Sequence, residues 1–326
     1  MRDLHATTCL ILWLNCCLVI YLLLPDKPRI VPQHGGTTTA EVVGEYSEKP
    51  QQLIDLDNFD YVINQAPCEA HVQSLIMIHS APGNFAKRAV IRDTWGSAAV
   101  VHAHSPLRLL FLFGGVDSGQ LQQQLWQEQL RFGDVLQGNF RDAYFNLSYK
   151  HVMALKWFDN HCRTAQLLLK VDDDIYLNTP LLLQQQPPAL LQAPELLLCA
   201  RQNNARALRS YASKWRVSFR EYADRFYPPF CPGFVVVYSA PVVRRLYGAA
   251  QRCSYFRLDD VLVTGLLAQR SNVSITDLSP YVLYPPALQA LLSGAARAEQ
   301  FLATWHKTTA QQIKQLWSLH TTMPPN

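Results

Sequence analysis

Between Ser74 and Ser239, short and nearly uninterrupted apolar runs alternate with stretches of helical spacing. No other feature of the chain constrains the fold as strongly. Ser74–Ala81, Leu107–Phe113, Ala165–Val171, Glu195–Ala200 and Phe234–Ser239 have the length of strands. Gln120–Phe132 and Tyr144–Asn160 space their apolar residues as helices do. A strand without a polar face is covered on both sides, so the pattern predicts an α/β fold with a mostly parallel central sheet flanked by helices. In such sheets, ligands collect beyond the carboxyl ends of the strands. No internal repeat interrupts this order, and Gln184–Pro188 reads as a helix end running into a loop.

The first 66 residues differ in character. Cys9–Leu24 is an apolar run whose only polar residue is Asn15. As a helix it spans about 24 Å, enough for a thin early-secretory bilayer. Arg2 on one flank and Lys27 with Arg29 on the other leave its orientation open. The run ends Leu22-Leu23-Leu24-Pro25, without the small residues of a cleavage site, so an uncleaved signal anchor is preferred to a signal peptide. Residues 25–66, with Pro25, Pro28, Pro32, Gly35-Gly36 and Pro50, read as a stem. The expected organisation is therefore a tail (1–8), a transmembrane helix (9–24), a stem (25–66) and one luminal catalytic domain (67–326). In an oxidising lumen, Cys68, Cys162, Cys199, Cys231 and Cys253 are available to pair, and an odd number leaves one over. The sequons at Asn146 and Asn272 agree with that compartment. A net charge of +4 without a basic cluster argues against nucleic acid as a partner.

Leu167–Val171 runs directly into Asp172-Asp173-Asp174. In an extended chain, alternate residues face one side, so Asp172 and Asp174 face together. Two such carboxylates at a strand end suit a hard divalent ion, Mn²⁺ or Mg²⁺, whose remaining positions take diphosphate oxygens. The bland alternative is a solvated acidic turn. A calcium loop would need spaced ligands and a central glycine, which Asp174–Asn178 lacks. Neither a P-loop nor a dinucleotide-binding glycine motif occurs, which favours a nucleotide-sugar. A second pair, Asp259-Asp260, opens the apolar stretch Val261–Gln269, where acids also serve simply as helix-start residues.

The wider order of motifs carries more weight. Lys87–Gly96 (KRAVIRDTWG), Phe140–Lys150 (FRDAYFNLSYK), Lys170–Asp174, Tyr227–Gly233 (YPPFCPG) and Leu258–Val261 follow one another along the chain. In this order they resemble the β-1,3-galactosyltransferase and β-1,3-N-acetylglucosaminyltransferase group, glycosyltransferase family 31, from about Phe59 to Trp317. The resemblance implies a GT-A type catalytic domain in the Golgi lumen, anchored as a single-pass type II membrane protein. It implies transfer of galactose from UDP-galactose, with inversion, to a 3-hydroxyl of a glycan on protein or lipid. UDP-N-acetylglucosamine is the alternative donor, and a catalytically inactive glycan- or partner-binding Golgi protein is the more remote alternative. Homo- or hetero-oligomers with other Golgi transferases stay open.

Residue by residue, the resemblance makes Asp260 the general base and Asp172, Asp174 and His306 the metal ligands. Arg88, Arg92, Trp95, Lys170 and Asp173 would lie along the donor, and Trp215 and Asp259 on the acceptor side. The bland reading of Arg88, Arg92 and Trp95 is a cation pair at a helix start beside a core tryptophan. Cys68 with Cys162 is the preferred disulfide. The chain departs from the family where Asp259 replaces the usual Glu, where Cys231-Pro232-Gly233 replaces Cys-Ser-Gly, and where Thr264–Leu267 lacks the usual Cys.

Overall fold

The computed structural model describes residues 52–102, 104–184, 191–296 and 300–322. The expected cytosolic tail, the anchor Cys9–Leu24 and the first part of the stem lie outside the described residues. Among the described residues no helix is long and apolar enough to cross a membrane.

The five expected strands form, and three more join them in the sheet. They are β1 (Tyr61–Ile63), β2 (Ser74–His79), β3 (Leu107–Gly115), β4 (Val135–Arg141), β5 (Leu167–Asp172), β6 (Leu197–Cys199), β7 (Val235–Ser239) and β8 (Thr276–Asp277), joined in the order β1-β4-β3-β2-β5-β7-β6-β8. The sheet is mixed rather than mostly parallel. The block β4-β3-β2-β5 is parallel, whereas β7 runs antiparallel to both β5 and β6 and β1 antiparallel to β4. Apolar runs buried on both faces look alike in either direction, so composition did not reveal the reversal. A short parallel pair, β9 (Val282–Leu283) and β10 (Ala303–Thr304), stands apart.

The principal helices are α1 (Phe85–Arg92), α2 (Gly119–Phe132), α3 (Leu147–His161), α4 (Ala240–Ala250) and α5 (Ala310–Thr322). Helix α2 begins at Ser118, whose side chain accepts from the Leu121 N–H, and ends at Gly133, whose φ of 66° is easy only for glycine. Helix α3 is buried along nearly its whole length because it is covered by the sheet and by α4. The stretch after Asp260 is a π-helical segment, Val261–Leu267, rather than a plain α-helix.

Two corrections concern the edges of the domain. Residues 53–63 belong to the folded domain, not to a spacer. Leu53, Ile54, Phe59 and Ile63 are buried, and β1 joins the sheet. Asp55 also accepts from Tyr149 Oη at 3.0 Å and from the Tyr255 N–H at 3.1 Å. Of the five cysteines of the domain, Cys68 pairs with Cys162 as expected, and Cys199 pairs with Cys231, a bridge that the sequence reading did not assign. Cys253 remains a thiol, which burial pushes up to about 12.

Residue alternation then positions the site. Register pairs Leu75, Met77 and His79 of β2 with Leu168, Lys170 and Asp172 of β5, and Leu168 and Lys170 with Tyr238 and Val236 of β7. These residues share the sheet face that α3 covers. A lysine, an aspartate, a histidine and a tyrosine are thereby brought onto one otherwise apolar face.

Arg88 is fully buried in the scaffold. Its Nε and Nη2 donate to the two oxygens of Glu128, each at 2.8 Å, and Nη1 and Nη2 also donate to the carbonyls of Ala81 and Pro82. Replacing Arg88 with alanine leaves buried acceptors short of partners. It should cost about 3–5 kcal/mol of stability in denaturant titration, the range for breaking a buried ion pair. A variant of wild-type stability would contradict this structural role.

Candidate active site

Lys170 is the hub. Its side chain is buried, and the ammonium donates to Asp172 Oδ1 at 2.8 Å and to the Gly233 carbonyl. Burial works against its charge, but Asp172, Asp259 and Asp260 outweigh that and raise its pKa. Gly233 supplies both ends of the next link, because its N–H donates to Asp260 Oδ2 at 3.0 Å. A Cβ at residue 233 would overlap Asp260 Oδ1 and lie 2.8 Å from Lys170 Nζ, so any larger residue must displace these two side-chain ends. The Cys199–Cys231 bridge and a hydrogen bond from the Cys231 N–H to Thr264 Oγ1 (2.8 Å) hold this turn. Thr264 Oγ1 in turn donates to the Asp260 carbonyl at 2.6 Å.

Asp259 and Asp260 have diverging environments. Asp259 Oδ2 lies 3.2 Å from His151 Nδ1, and His151 Nε2 lies 2.8 Å from Tyr238 Oη. An ionised carboxylate only accepts, so Nδ1 carries the proton and Nε2 accepts from the tyrosine hydroxyl. Burial alone would raise the Asp259 pKa, but the His151 hydrogen bond and Lys170 lower it. Asp260 moves the other way. Burial, then the neighbouring Asp259 and, more weakly, Asp172 raise it well above the usual carboxylate value. Two acids whose environments separate them in this way suit different roles, with the more basic one available as a general base.

His151, Asp259 and Asp260 are also the one trio of potential ligand residues, among the described residues, whose ligand atoms lie within 4.8 Å of one another. Both nitrogens of the wholly buried His151 already have partners. His151 thus links Asp259 to Tyr238, while the Asp260 carboxylate beside them is held by the Gly233 N–H. His151 escaped the sequence reading, since a single histidine within a helical stretch gives no local signal.

The acidic triplet divides. Asp172 lines a cleft of about 380 Å³ with His79, Lys150, Lys170, Asp259 and Asp260. Asp173 instead turns toward the start of α1. There it accepts from Ser80 Oγ, Asn84 Nδ2 and Lys87 Nζ, all at 2.7 Å. Asp174 lies 3.8 Å from Lys87 Nζ. The side chains of Asp172 and Asp174 remain 36% and 30% exposed. Asp172, Asp174 and His306 do not converge on one point, and lysines lie against the two acids. The oxygen-only pair still fits Mn²⁺ or Mg²⁺, which bind through one or two carboxylates and take the rest from substrate phosphates.

A second cavity, about 440 Å³, shares Tyr144, Leu147, Asp259 and Asp260 with the first. His306 and Trp215 line it, Trp215 being 50% exposed. Thus Asp260, Asp259, Lys170, Asp172, Trp215 and His306 gather about two adjoining cavities. Arg88, Arg92 and Trp95 do not. Arg92 forks onto Asp134 and reaches Glu128, and Trp95 is fully buried with Nε1 donating to the Ile175 carbonyl at 3.2 Å. They are the cation pair and core tryptophan of the bland reading. Asn146 donates to the Arg141 carbonyl at 2.8 Å within the turn that opens α3, and Ser148 of that sequon is buried. Asn272 is exposed, with a φ of 51° that asparagine tolerates.

With this geometry in view, the likeness to known proteins is direct. The galactosyltransferase family model matches residues 86–279. β-1,3-Galactosyltransferase 5 of Pan troglodytes is 33% identical over 220 residues, covering 66% of this chain and 72% of its own length. β-1,3-Galactosyltransferase brn of Drosophila melanogaster is 30% identical over 270 residues, covering 81% and 80%. The human lactosylceramide 1,3-N-acetyl-β-D-glucosaminyltransferase is 27% identical over 275 residues, covering 79% and 72%. The chain belongs to the galactosyltransferase family, glycosyltransferase family 31.

Gly233→Ala tests the keystone of the site. The variant should fold, because the obstruction meets side-chain ends, but it should displace Asp260 and Lys170. Sugar transfer should fall at least about tenfold, the scale of losing one charge-assisted hydrogen bond. Wild-type turnover would show that the close approach is dispensable.

Proposed function

We propose that this chain is an inverting β-1,3-galactosyltransferase that takes UDP-galactose as donor. The observation that carries the reading is the wall shared by the two cavities, where Asp260 borders both. The cleft with Lys150, Lys170 and Asp172 takes the donor diphosphate, and the cavity with Trp215 takes the acceptor, whose sugar face an exposed indole can stack on. Asp172 and Asp174 would hold Mn²⁺ or Mg²⁺, which when bound would supply Lewis-acid stabilisation of the diphosphate.

Asp260 accepts the proton of the acceptor 3-hydroxyl as its oxygen bonds to the anomeric carbon. The bond from that carbon to the diphosphate oxygen breaks on the opposite side, and UDP leaves with the electron pair. A single displacement turns the α-linked donor into a β-linked product. Asp259, kept ionised by His151 and Lys170, favours a protonated neighbour and so raises the basicity of Asp260.

Asp260→Asn should lower transfer by about 10²–10⁴-fold with stability retained, and near wild-type turnover would refute the base assignment. Asp174→Asn should abolish Mn²⁺-dependent UDP binding in calorimetry, an outcome that unchanged binding would overturn. The base must be deprotonated, and its pKa is raised, so activity is lost as pH falls through that raised value. The acid limb of kcat/KM should therefore lie above about pH 4, the ordinary carboxylate range.

The second reading is a β-1,3-N-acetylglucosaminyltransferase, favoured by the likeness to the human lactosylceramide enzyme. A panel of UDP-sugars separates the two. For location we propose the Golgi membrane, in type II orientation through Cys9–Leu24, with two disulfides suited to an oxidising lumen.

A further inference from the structure

The second cavity contains two arginines that the transfer chemistry does not use. Arg206 and Arg257 line it, and neither borders the donor cleft. Among the described residues neither has a carboxylate within ion-pair distance. Arg257 Nη2 donates only a long hydrogen bond, 3.4 Å, to the Lys214 carbonyl, and its Nε is buried without a partner. Tyr227, 8% exposed and lining the same cavity, has a buried hydroxyl that is also without a partner.

Arg206 is exposed and free to turn to a ligand, whereas the buried Arg257 Nε and Tyr227 hydroxyl are groups that are costly to leave unsatisfied and are normally paired. The contrast with Arg209 is instructive. That guanidinium is committed to the carbonyls of Val217, Ser218 and Asp224, so it braces its own segment. Arg257 lies over the Phe145 ring at 5.2 Å, but among the described residues neither its guanidinium nor that of Arg206 is committed to a set of backbone carbonyls in this way. A guanidinium fork matches the paired oxygens of a carboxylate or sulfate better than single sugar hydroxyls.

We infer that this cavity selects an acceptor glycan carrying an anionic substituent, a uronate carboxylate or a sulfate ester, which pairs with Arg206 and Arg257 and accepts from Tyr227. The inference rests on the proposed reading of this cavity as the acceptor site. The shared chemistry is a planar or tripodal oxyanion on or next to the sugar that receives the transfer. Trp215 and Tyr144 supply the stacking surface, so charge adds selectivity to a site that already holds a sugar ring.

The test uses the full chain in detergent with three matched oligosaccharide acceptors, one neutral, one with a uronic acid and one with a sulfate ester at the corresponding position. At low salt, at least one anionic member should exceed the neutral one in kcat/KM by about 10–100-fold, mainly through KM, with the advantage shrinking as salt rises. Which anionic arm responds identifies the substituent. In Arg206→Gln/Arg257→Gln the ratio should collapse toward one. Equal kcat/KM across the three acceptors, or an advantage that survives in the double variant, overturns the inference.

Calorimetric binding of the same oligosaccharides separates this claim from the proposed function. Tighter binding of an anionic member without any transfer would sustain the anion site while refuting the transferase reading. Transfer with no preference in either assay would do the reverse.

Discussion

One buried ammonium holds the site together. Lys170 sits mid-sheet on the face covered by α3, where an unpaired charge would cost several kcal/mol. It is tolerated because Asp172 meets it at 2.8 Å, the Gly233 carbonyl accepts from it, and Asp259 and Asp260 surround it. The dependence is mutual. Asp172, at the end of β5, and Asp259 and Asp260, just before the π-helical segment, repel one another, and the lysine among them offsets much of that repulsion. The Asp260 carboxylate is oriented by the glycine beside the lysine, and Thr264 holds its backbone carbonyl. The turn at Cys231-Pro232-Gly233 is therefore part of the site and not only a connection. The disulfide to Cys199 fixes it to the sheet from which Lys170 rises.

A different set of charges serves the fold. Arg88 and Arg92 are held by Glu128 and Asp134 and stack over Phe113 and Phe111, joining α1 to α2 and the start of β4. Asp173 ties the start of α1 to β5 through Lys87, Asn84 and Ser80. Basic residues near a diphosphate cleft invite assignment to the ligand. Here their partners are protein carboxylates, and the cations that face the cleft are Lys150 and Lys170. Lys150 is itself anchored to Asp142 at 2.7 Å, so the donor cleft is lined by fixed charges that need little reorganisation when a ligand arrives.

Strands β2, β3, β5, β6 and β7 and helices α2 and α3 were legible because buried strands and helices leave distinct periods in the sequence. The direction of β7 was not, since a run such as Phe234–Ser239 is apolar whichever way it pairs. β4 was missed because Gln137 and Asn139 break its apolar run, although Gln137 is buried and donates to the Gly114 carbonyl. Asp172 was found from a local motif and Asp260 only through the family resemblance, and both line the cleft. Arg88 and Trp95 were drawn to the site by motif alone, and burial, which motifs do not encode, places them elsewhere. His151 and Tyr238 lie on different elements 87 residues apart and meet only because the strand register and α3 bring them together.

That meeting explains how this chain accommodates its shortest departure from the family pattern. With Asp259 in place of the usual Glu, the carboxylate ends one methylene nearer its own backbone. A longer acid could seek partners beyond the turn, but this one must be met where it stands. His151 does so from α3 at 3.2 Å, and Tyr238 fixes the far nitrogen of the same ring at 2.8 Å. With its negative charge secured there, Asp259 does not compete for the Gly233 N–H, which is left to Asp260. The shorter side chain thus keeps the two acids on separate partners, and their unequal basicity follows from that separation.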